Sequence, residues 1–277
     1  MTKRVRIQML TVIFCLLMII PATALAEGKT LLMATTTSTD NTGLLDVLGP
    51  LFTKDTGIAL KWVATGTGKA LKLGENCDAD ILMVHAPASE KAFVDAGFGV
   101  DRRQVMYNDF VIIGPVSDPA GIESMPVETA LTTVVDKGAI FVSRGDNSGT
   151  DKKEKSLWKA AGLPLPDKAS WYVQTGQGML ATINVAAERK GYTMTDRGTF
   201  IKYEADHQGN PPLVILVEGD GTLLNQYSVI AVNPKRCTNV QNAEAKVFAD
   251  WITSAPTQKA IGDFKLLGKQ LFTPNAK

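Results

Sequence analysis

Cysteine and histidine are scarce in this chain, which has three cysteines and two histidines in 277 residues. Cys15 lies in the apolar N-terminal segment, so Cys77 and Cys237 are the cysteines that follow it. Their spacing fits no zinc-binding pattern, and His85 and His207 are too far apart in sequence to suggest one. No residue is therefore predicted to bind a metal directly, and no cofactor is expected.

An excess of charge of one sign is absent as well. The 29 lysines and arginines nearly balance the 28 aspartates and glutamates, which gives a formal net charge of +1. No basic stripe remains beyond the N-terminal segment, and this excludes a nucleic-acid footprint. Long apolar runs are missing after residue 26, so no membrane-spanning segment is expected there.

The first 26 residues are typical of a cleaved secretory signal. Lys3, Arg4 and Arg6 form a basic start, residues 9–20 are apolar, and residues 24–26 (Ala-Leu-Ala) match a small-residue cleavage site. The segment predicts export to the periplasm and a mature chain that begins at residue 27.

Export places the two remaining cysteines in an oxidising compartment, where they can pair. We hypothesise a disulfide between Cys77 and Cys237, with two buried free thiols as the alternative.

Phe14 precedes Cys15 at the position where a lipid-modified cysteine would have a small residue. A lipid anchor is therefore not expected.

Residues 143–150 (Ser-Arg-Gly-Asp-Asn-Ser-Gly-Thr) follow an apolar, β-branched segment and precede a helical one. A strand-to-helix turn directs free backbone N–H groups and the positive end of a helix dipole at one point. The guanidinium of Arg144 and the hydroxyls of Ser148 and Thr150 add donors that suit a tetrahedral oxyanion. The alternative is that Ser148 or Thr150 only caps the helix, but capping needs neither the arginine nor both glycines.

A second turn has a similar composition. Residues 35–43 (Thr-Thr-Thr-Ser-Thr-Asp-Asn-Thr-Gly) follow an apolar segment and precede an amphipathic helix pattern. Residues 40–43 and 146–149 share the pattern Asp-Asn-Ser/Thr-Gly, a weak internal repeat that predicts two similar lobes. Thr67 also opens a helix after a strand, although its surroundings match neither the NTPase phosphate loop nor the dinucleotide-binding pattern.

Strand-like and helix-like segments alternate almost throughout the chain. Such alternation predicts an α/β fold in which mostly parallel sheets are flanked by helices. Two extended runs, residues 105–115 and 223–234, are placed where they can serve as the hinge crossovers of a clamshell. We predict a first lobe of residues 27–113 and 229–277 and a second lobe of residues 114–228. The alternative is a single doubly wound domain.

Signs of catalysis are missing. The sequence has no Gly-x-Ser-x-Gly nucleophile elbow, and no carboxylates are arranged as an acid and base pair. A triad of Ser148, His85 and Asp146 is the alternative from the enzyme class, although a lone histidine is usually structural. The chain is predicted not to be an enzyme.

Six segments together resemble the periplasmic tungstate-binding proteins of ABC-type oxyanion importers, and the likeness covers essentially the whole mature chain. They are residues 35–38, 41–45, 66–71, 80–86, 143–150 and 192–199. The pattern Ser-Arg-x-Asp-x-Ser-Gly-Thr also resembles phosphate-binding proteins. The start Thr-Thr-Thr-Ser favours tungstate and molybdate.

The resemblance implies a two-lobed periplasmic binding protein fold with the anion buried between the lobes. The ligand-binding residues that it implies are Thr35, Ser38 and Thr67 from the first lobe and Arg144, Ser148, Gly149, Thr150 and Thr182 from the second. Asp146 is expected to orient Arg144 or to cap a helix, because deprotonated tungstate has no proton to give it.

The resemblance also implies a role. A protein of this kind captures tungstate, and molybdate, in the periplasm and delivers it as a monomer to an ABC permease of the inner membrane. A binding protein for phosphate or another tetrahedral oxyanion is the alternative.

Overall fold

The structure, a computed structural model, describes residues 29–277, so the predicted signal at residues 1–26 lies outside the described residues. The strands are β1 (Thr30–Thr36), β2 (Ala59–Thr65), β3 (Ile81–Val84), β4 (Gly99–Pro115), β5 (Phe141–Ser143), β6 (Tyr172–Gln174), β7 (Thr193–Asp196), β8 (Leu213–Val217), β9 (Leu224–Val232), β10 (Lys265–Leu266), β11 (Lys269–Gln270) and β12 (Thr273–Pro274). The helices are α1 (Thr37–Asp40), α2 (Leu44–Thr56), α3 (Thr67–Glu75), α4 (Pro87–Asp95), α5 (Val127–Lys137), α6 (Gly149–Ala160), α7 (Met179–Glu188), α8 (Arg197–Asp206), α9 (Asn242–Ile252) and α10 (Ala255–Asp263), with a 3₁₀ turn at Gly221–Leu223.

A curled sheet with the strand order β12-β4-β9-β3-β1-β2 forms the centre of the molecule, and β7 and β8 also pair with β4. Strand β1 is parallel to β2 and β3, and β5 is parallel to β6. The pairs made by β4 with β7, β8 and β9 are antiparallel, as is the pair of β3 with β9. The α/β class is confirmed, but the sheet is mixed, because the long strands β4 and β9 run against their neighbours.

Strand β4 links the two parts of the sheet. Its first part pairs with β9, from Gly99 opposite Val232 to Asp109 opposite Leu224. Its last residues, from Phe110 onward, pair with β7 and β8 instead. Both extended runs that the sequence indicated are therefore strands at the junction, and the exact lobe boundaries stay a prediction.

Separate apolar clusters lie on the two sides of this junction. One contains Phe52 and Phe248, whose rings meet edge to face with centroids 5.0 Å apart. Another contains Phe141 and Trp158, with ring centroids 5.3 Å apart. A part of a chain that buries its own core has the character of a domain, which favours two lobes over one.

The helices of residues 29–277 are too short or too polar to span a lipid bilayer.

Cys77 and Cys237 form a disulfide, as hypothesised. It joins the turn after α3 to the loop between β9 and α9. Helix α3 is thus tied at its C-terminal end to a segment far away in sequence.

The variant in which both Cys77 and Cys237 are replaced by alanine should lose roughly 2–5 kcal/mol of unfolding free energy. The disulfide joins residues 160 positions apart, and a link over such a distance restricts the unfolded chain strongly. Guanidinium unfolding of the variant and of the oxidised protein measures the difference, with the reduced protein as a control. Equal midpoints for all three would contradict this expectation.

Candidate functional site

The N-termini of α1, α3 and α6 meet at one cavity of about 520 Å³. Its lining residues are Thr36, Thr37, Ser38, Thr65, Gly66, Thr67, Gly68, Lys69, His85, Arg144, Asp146, Asn147, Ser148, Gly149, Thr150 and Lys152. Each helix follows a strand closely, so the chain turns at the end of β1, β2 or β5 and directs a helix start toward the same space. This is the arrangement that the turns at residues 35–43 and 143–150 predicted.

Backbone N–H groups of these first turns are free to bind a ligand. The first intrahelical hydrogen bond is donated by Ala70 in α3 and by Lys152 in α6. The amides of Thr67 and Gly68, and that of Gly149, precede these donors and have no carbonyl partner within their helices. Together with the helix dipoles they make the cavity attractive to an anion.

The side chains add positive charge. Lys69, Arg144 and Lys152 line the cavity, and Asp146 is the single carboxylate among the described lining residues. Two positive charges are therefore in excess there, which matches a dianion. No group of three or more His, Cys, Asp or Glu in residues 29–277 could hold a metal ion.

Arg144 and Asp146 are bonded to each other. Arg144 Nη2 donates to Asp146 Oδ2 over 2.5 Å, and Ser148 N donates to Asp146 Oδ1 over 3.1 Å. Burial alone raises the pKa of Asp146, but hydrogen bonds from Ser148 and Arg144 outweigh it, and the pKa lies below its usual value. Asp146 is thus a carboxylate that holds Arg144 in place.

One donor of Arg144 is still available. Its Nε atom is buried and has no hydrogen-bond acceptor among the described residues. A buried donor without a partner costs about 1–3 kcal/mol, so such a donor is expected to meet an acceptor when the site is filled. An anion in the cavity fits that need.

Ser148 has both of the roles considered from the sequence. It is the N-cap of α6, where its Oγ accepts a hydrogen bond from Asp151 N over 3.3 Å. Its side chain also lines the cavity. The cap uses the oxygen as acceptor, so the hydroxyl can also donate its hydrogen, and the Asp146 carboxylate competes with a bound anion for it.

Gly149 brings the start of α6 close to the other side of the cavity. A Cβ atom at this position would lie 3.3 Å from His85 Cε1 and 3.5 Å from Thr67 Oγ1. A side chain at residue 149 would press against His85, so a glycine here lets α6 approach His85 and Thr67 closely.

His85 was not among the predicted ligand-binding residues, yet it lines the cavity. Its Nε2 lies 3.0 Å from both Thr36 Oγ1 and Ser38 Oγ, and its Nδ1 lies 2.8 Å from Asn225 Oδ1. Burial lowers the pKa of His85, although the hydrogen bond to Asn225 and the charge of Asp196 act in the opposite direction. A pKa below 6.5 leaves the ring neutral near pH 7.

Six of the eight predicted residues line the cavity, namely Ser38, Thr67, Arg144, Ser148, Gly149 and Thr150. Thr35 and Thr182 do not. Side chains alternate along β1, so Thr36 faces the cavity and Thr35 points to the opposite face. There Thr35 Oγ1 donates to Met83 O over 2.8 Å. Thr182 Oγ1 donates to the carbonyl of Gly178, the N-cap of α7, over 3.1 Å, and the N-terminus of α7 lines a neighbouring cavity of about 430 Å³.

The sequence reasoning missed further lining residues, notably Thr36, Lys69 and Lys152. Lys69 and His85 lie in segments that carried the resemblance, residues 66–71 and 80–86. Their position in those segments was the signal that could have identified them.

Comparison with known proteins places this site in a family. Residues 22–256 match the family described as PBP superfamily domain, the periplasmic binding proteins. The tungstate-binding protein TupA of Campylobacter jejuni is 57% identical over 240 residues, which cover 87% of this chain and 89% of that protein.

Solved structures agree. The tungstate-binding protein TupA from Desulfovibrio alaskensis G20 is 69% identical, with a TM-score of 0.86, and the match covers 90% of this chain and all of that one. The tungstate ABC transporter structure from Geobacter sulfurreducens is 47% identical, with a TM-score of 0.75 and coverage of 85% and 98%. The predicted fold class and the predicted resemblance are both confirmed. The chain belongs to the periplasmic binding protein superfamily and, within it, to the family of the tungstate-binding proteins TupA.

Proposed function

We propose that this protein captures tungstate, and also molybdate, between two lobes and delivers it to an ABC permease of the inner membrane. The observation that carries the proposal is the meeting of three helix N-termini and Arg144 at a cavity with two excess positive charges. The relatives named as tungstate-binding proteins support it. The anion is bound through its oxygens, so tungsten itself has no protein ligand.

The proposed ligand-binding residues come from both sides of the cavity. Ser38 and Thr67 lie on the side of β1 and β2, and Arg144, Ser148, Gly149 and Thr150 lie on the side of β5 and α6. We assign residues 27–113 and 229–277 to the first lobe and residues 114–228 to the second. The separate apolar clusters and the crossover strands β4 and β9 support this division. Thr35 and Thr182 are not proposed as ligand-binding residues; their hydroxyls bond the backbone carbonyls of Met83 and Gly178.

Binding replaces the water around the dianion with fixed donors. Hydrogen bonds to a charged group contribute about 1.5–3 kcal/mol each. Several of them, less the cost of desolvation and closure, give the roughly −8 to −12 kcal/mol of micromolar to nanomolar binding. Donors from both lobes reach the anion together only when the cleft is shut, so the anion selects the closed state.

The phosphate alternative depended on Asp146 accepting a proton from the anion. Both carboxylate oxygens already accept hydrogen bonds, from Arg144 and from Ser148 N. The names of the relatives do not favour phosphate either.

The hydrolase alternative required Ser148, His85 and Asp146 to act as a triad. His85 Nε2 contacts Thr36 and Ser38, and among the described residues no hydrogen bond joins His85 to Ser148. Relatives are named as binding proteins. We infer that the chain is a binding protein and not an enzyme.

It is proposed to act as a monomer in the periplasm after loss of residues 1–26, without a lipid anchor.

A calorimetric titration of residues 27–277 with tungstate, molybdate, sulfate and phosphate tests the proposal. We expect roughly nanomolar to micromolar binding of tungstate and molybdate and no measurable binding of sulfate or phosphate. Tight phosphate binding without tungstate binding would establish the alternative. The absence of binding for all four would remove both carrier functions.

A further inference from the structure

His85 lies where the cavity, the approaching helix α6 and the crossover strand β9 come together. One ring nitrogen faces the hydroxyls of Thr36 and Ser38, both at 3.0 Å, and the other faces Asn225 Oδ1 at 2.8 Å. The ring stacks on Tyr227 with centroids 4.7 Å apart. The residue is 8% exposed, so little of the ring meets solvent.

Burial, and not a charged neighbour, lowers the pKa of His85 and keeps the ring neutral near pH 7 in the absence of an anion. Among the described residues no carboxylate forms an ion pair with its ring, and the nearest acidic influence is Asp196, whose oxygens accept hydrogen bonds from Thr199 N and Oγ1 over 2.9 and 2.7 Å. Burial raises the pKa of Tyr227, so the phenol under the ring is uncharged. Lys69, Arg144, Lys152 and Asp146 are the charged residues that line the same cavity as His85.

The hydrogen-bond partners of the ring nevertheless suit the protonated form. Asn225 Nδ2 donates to Asn108 Oδ1 over 2.7 Å, so Asn225 Oδ1 is turned toward His85 Nδ1 as an acceptor. On the other side the hydroxyl oxygens of Thr36 and Ser38 can each accept from Nε2. An imidazolium could donate both N–H groups with no heavy atom moving. What it lacks, among the described residues, is a negative charge in contact with the ring.

We infer that the captured dianion supplies that charge, and that binding takes up one proton from solution at His85. The inference rests on the proposed function, since it requires an oxyanion in this cavity. The step is balanced by water or buffer, which gives the proton to Nε2, since Nδ1 already donates to Asn225 Oδ1, while the anion keeps all its oxygens deprotonated. His85 acts as a positioning residue through Ser38.

Protonation changes what Ser38 can offer. While His85 is neutral and Nε2 is an acceptor, the hydroxyl hydrogen of Ser38 or Thr36 is directed at the ring. Once Nε2 carries a hydrogen, it donates to the hydroxyl oxygen, and the Ser38 hydrogen is free for the anion. The cavity gains a donor and a positive charge at the moment of capture.

The expected pH dependence follows from the direction of the pKa change. In the free protein burial holds the pKa of His85 below its usual value of 6.5, and a bound dianion raises it. The contribution to affinity is therefore complete at pH values below the free pKa and is lost as pH rises through the bound pKa. Between the two, the dissociation constant should increase by up to about tenfold per pH unit.

The test is titration calorimetry of tungstate into residues 27–277 between about pH 6 and about pH 8.5, in pairs of buffers with different ionisation enthalpies. The wild-type protein should take up close to one proton in the range between the two pKa values. His85→Gln keeps an amide that can bond the hydroxyls but cannot be protonated, so it should show no uptake and a dissociation constant that does not change with pH. His207→Gln, at the exposed end of α8, is the matched control and should behave as the wild type.

A second measurement does not depend on the folding of the His85 variant. Because the mature chain has two histidines, ring Cε1–H spectra of the wild type and of His207→Gln identify the His85 signal directly. Adding tungstate near neutral pH should move that signal to the protonated position and leave His207 unchanged. Tungstate binding with no proton uptake and an unmoved His85 signal would overturn this inference and leave the proposed function intact. The absence of tungstate binding would overturn the proposed function, and this inference with it.

Discussion

Replacing Arg144 with lysine is expected to weaken tungstate binding by about 10- to 100-fold and to reduce the difference between tungstate and molybdate. Arg144 presents a planar fork whose Nη2 is fixed by Asp146 and whose buried Nε has no other acceptor among the described residues. Lysine keeps the charge but loses the fixed direction of these donors, and a charge-assisted hydrogen bond is worth about 1.5–3 kcal/mol. Because the two anions are nearly equal in size, discrimination between them depends on donor direction. Calorimetric dissociation constants for both anions measure the effect.

Arg189→Lys serves as the control for this change, since Arg189 is exposed at the end of α7, away from the cavity. It should bind both anions as the wild type does. If Arg144→Lys also left both dissociation constants unchanged, Arg144 would not be part of the site.

Gly149→Val is expected to weaken tungstate binding by about 5- to 150-fold while the protein stays folded. A Cβ atom at Gly149 would already lie 3.3 Å from His85 Cε1, and valine adds two methyl groups at this close approach. Overpacking of this kind costs roughly 1–3 kcal/mol, and here the cost falls on bringing the two sides of the cavity together. Gly149→Ala should give a smaller loss of the same sign. Thermal unfolding and titration calorimetry of the same preparations separate folding from binding.

Gly221→Val is the matched control, because Gly221 is exposed and a Cβ there would meet nothing within 4 Å. It should leave binding unchanged. Wild-type affinity in Gly149→Val would show that α6 does not approach His85 when the anion is bound.

Local sequence patterns were enough to predict most of the fold. The helix expected directly after residues 143–150 is α6, which spans Gly149–Ala160, and the extended runs at residues 105–115 and 223–234 lie in β4 and β9. Strand β7 and helix α8 were not assigned. All four residues of β7 are buried, so the alternation that identifies a half-buried strand is absent there.

The start of α6 was predicted from residues that are close together in sequence, whereas a contact between distant residues was missed. Ser148, Gly149 and Thr150 open one helix, and their free N–H groups follow from that turn alone. His85 depends on Asn225, 140 residues away, and a lone histidine in a sequence carries no sign of such a partner. Thr35 was chosen where Thr36 faces the cavity, since an error of one residue along a strand selects the opposite face.

The central claim is that a tungstate anion is bound in the cavity between the starts of α1, α3 and α6. Crystals of residues 27–277 grown with tungstate, with anomalous diffraction measured at a tungsten absorption edge, test it most directly. The account predicts one strong anomalous peak in this cavity, with anion oxygens within hydrogen-bond distance of Arg144, Ser38 and the amide of Gly149. A tungsten peak elsewhere on the molecule, with this cavity holding none, would contradict it.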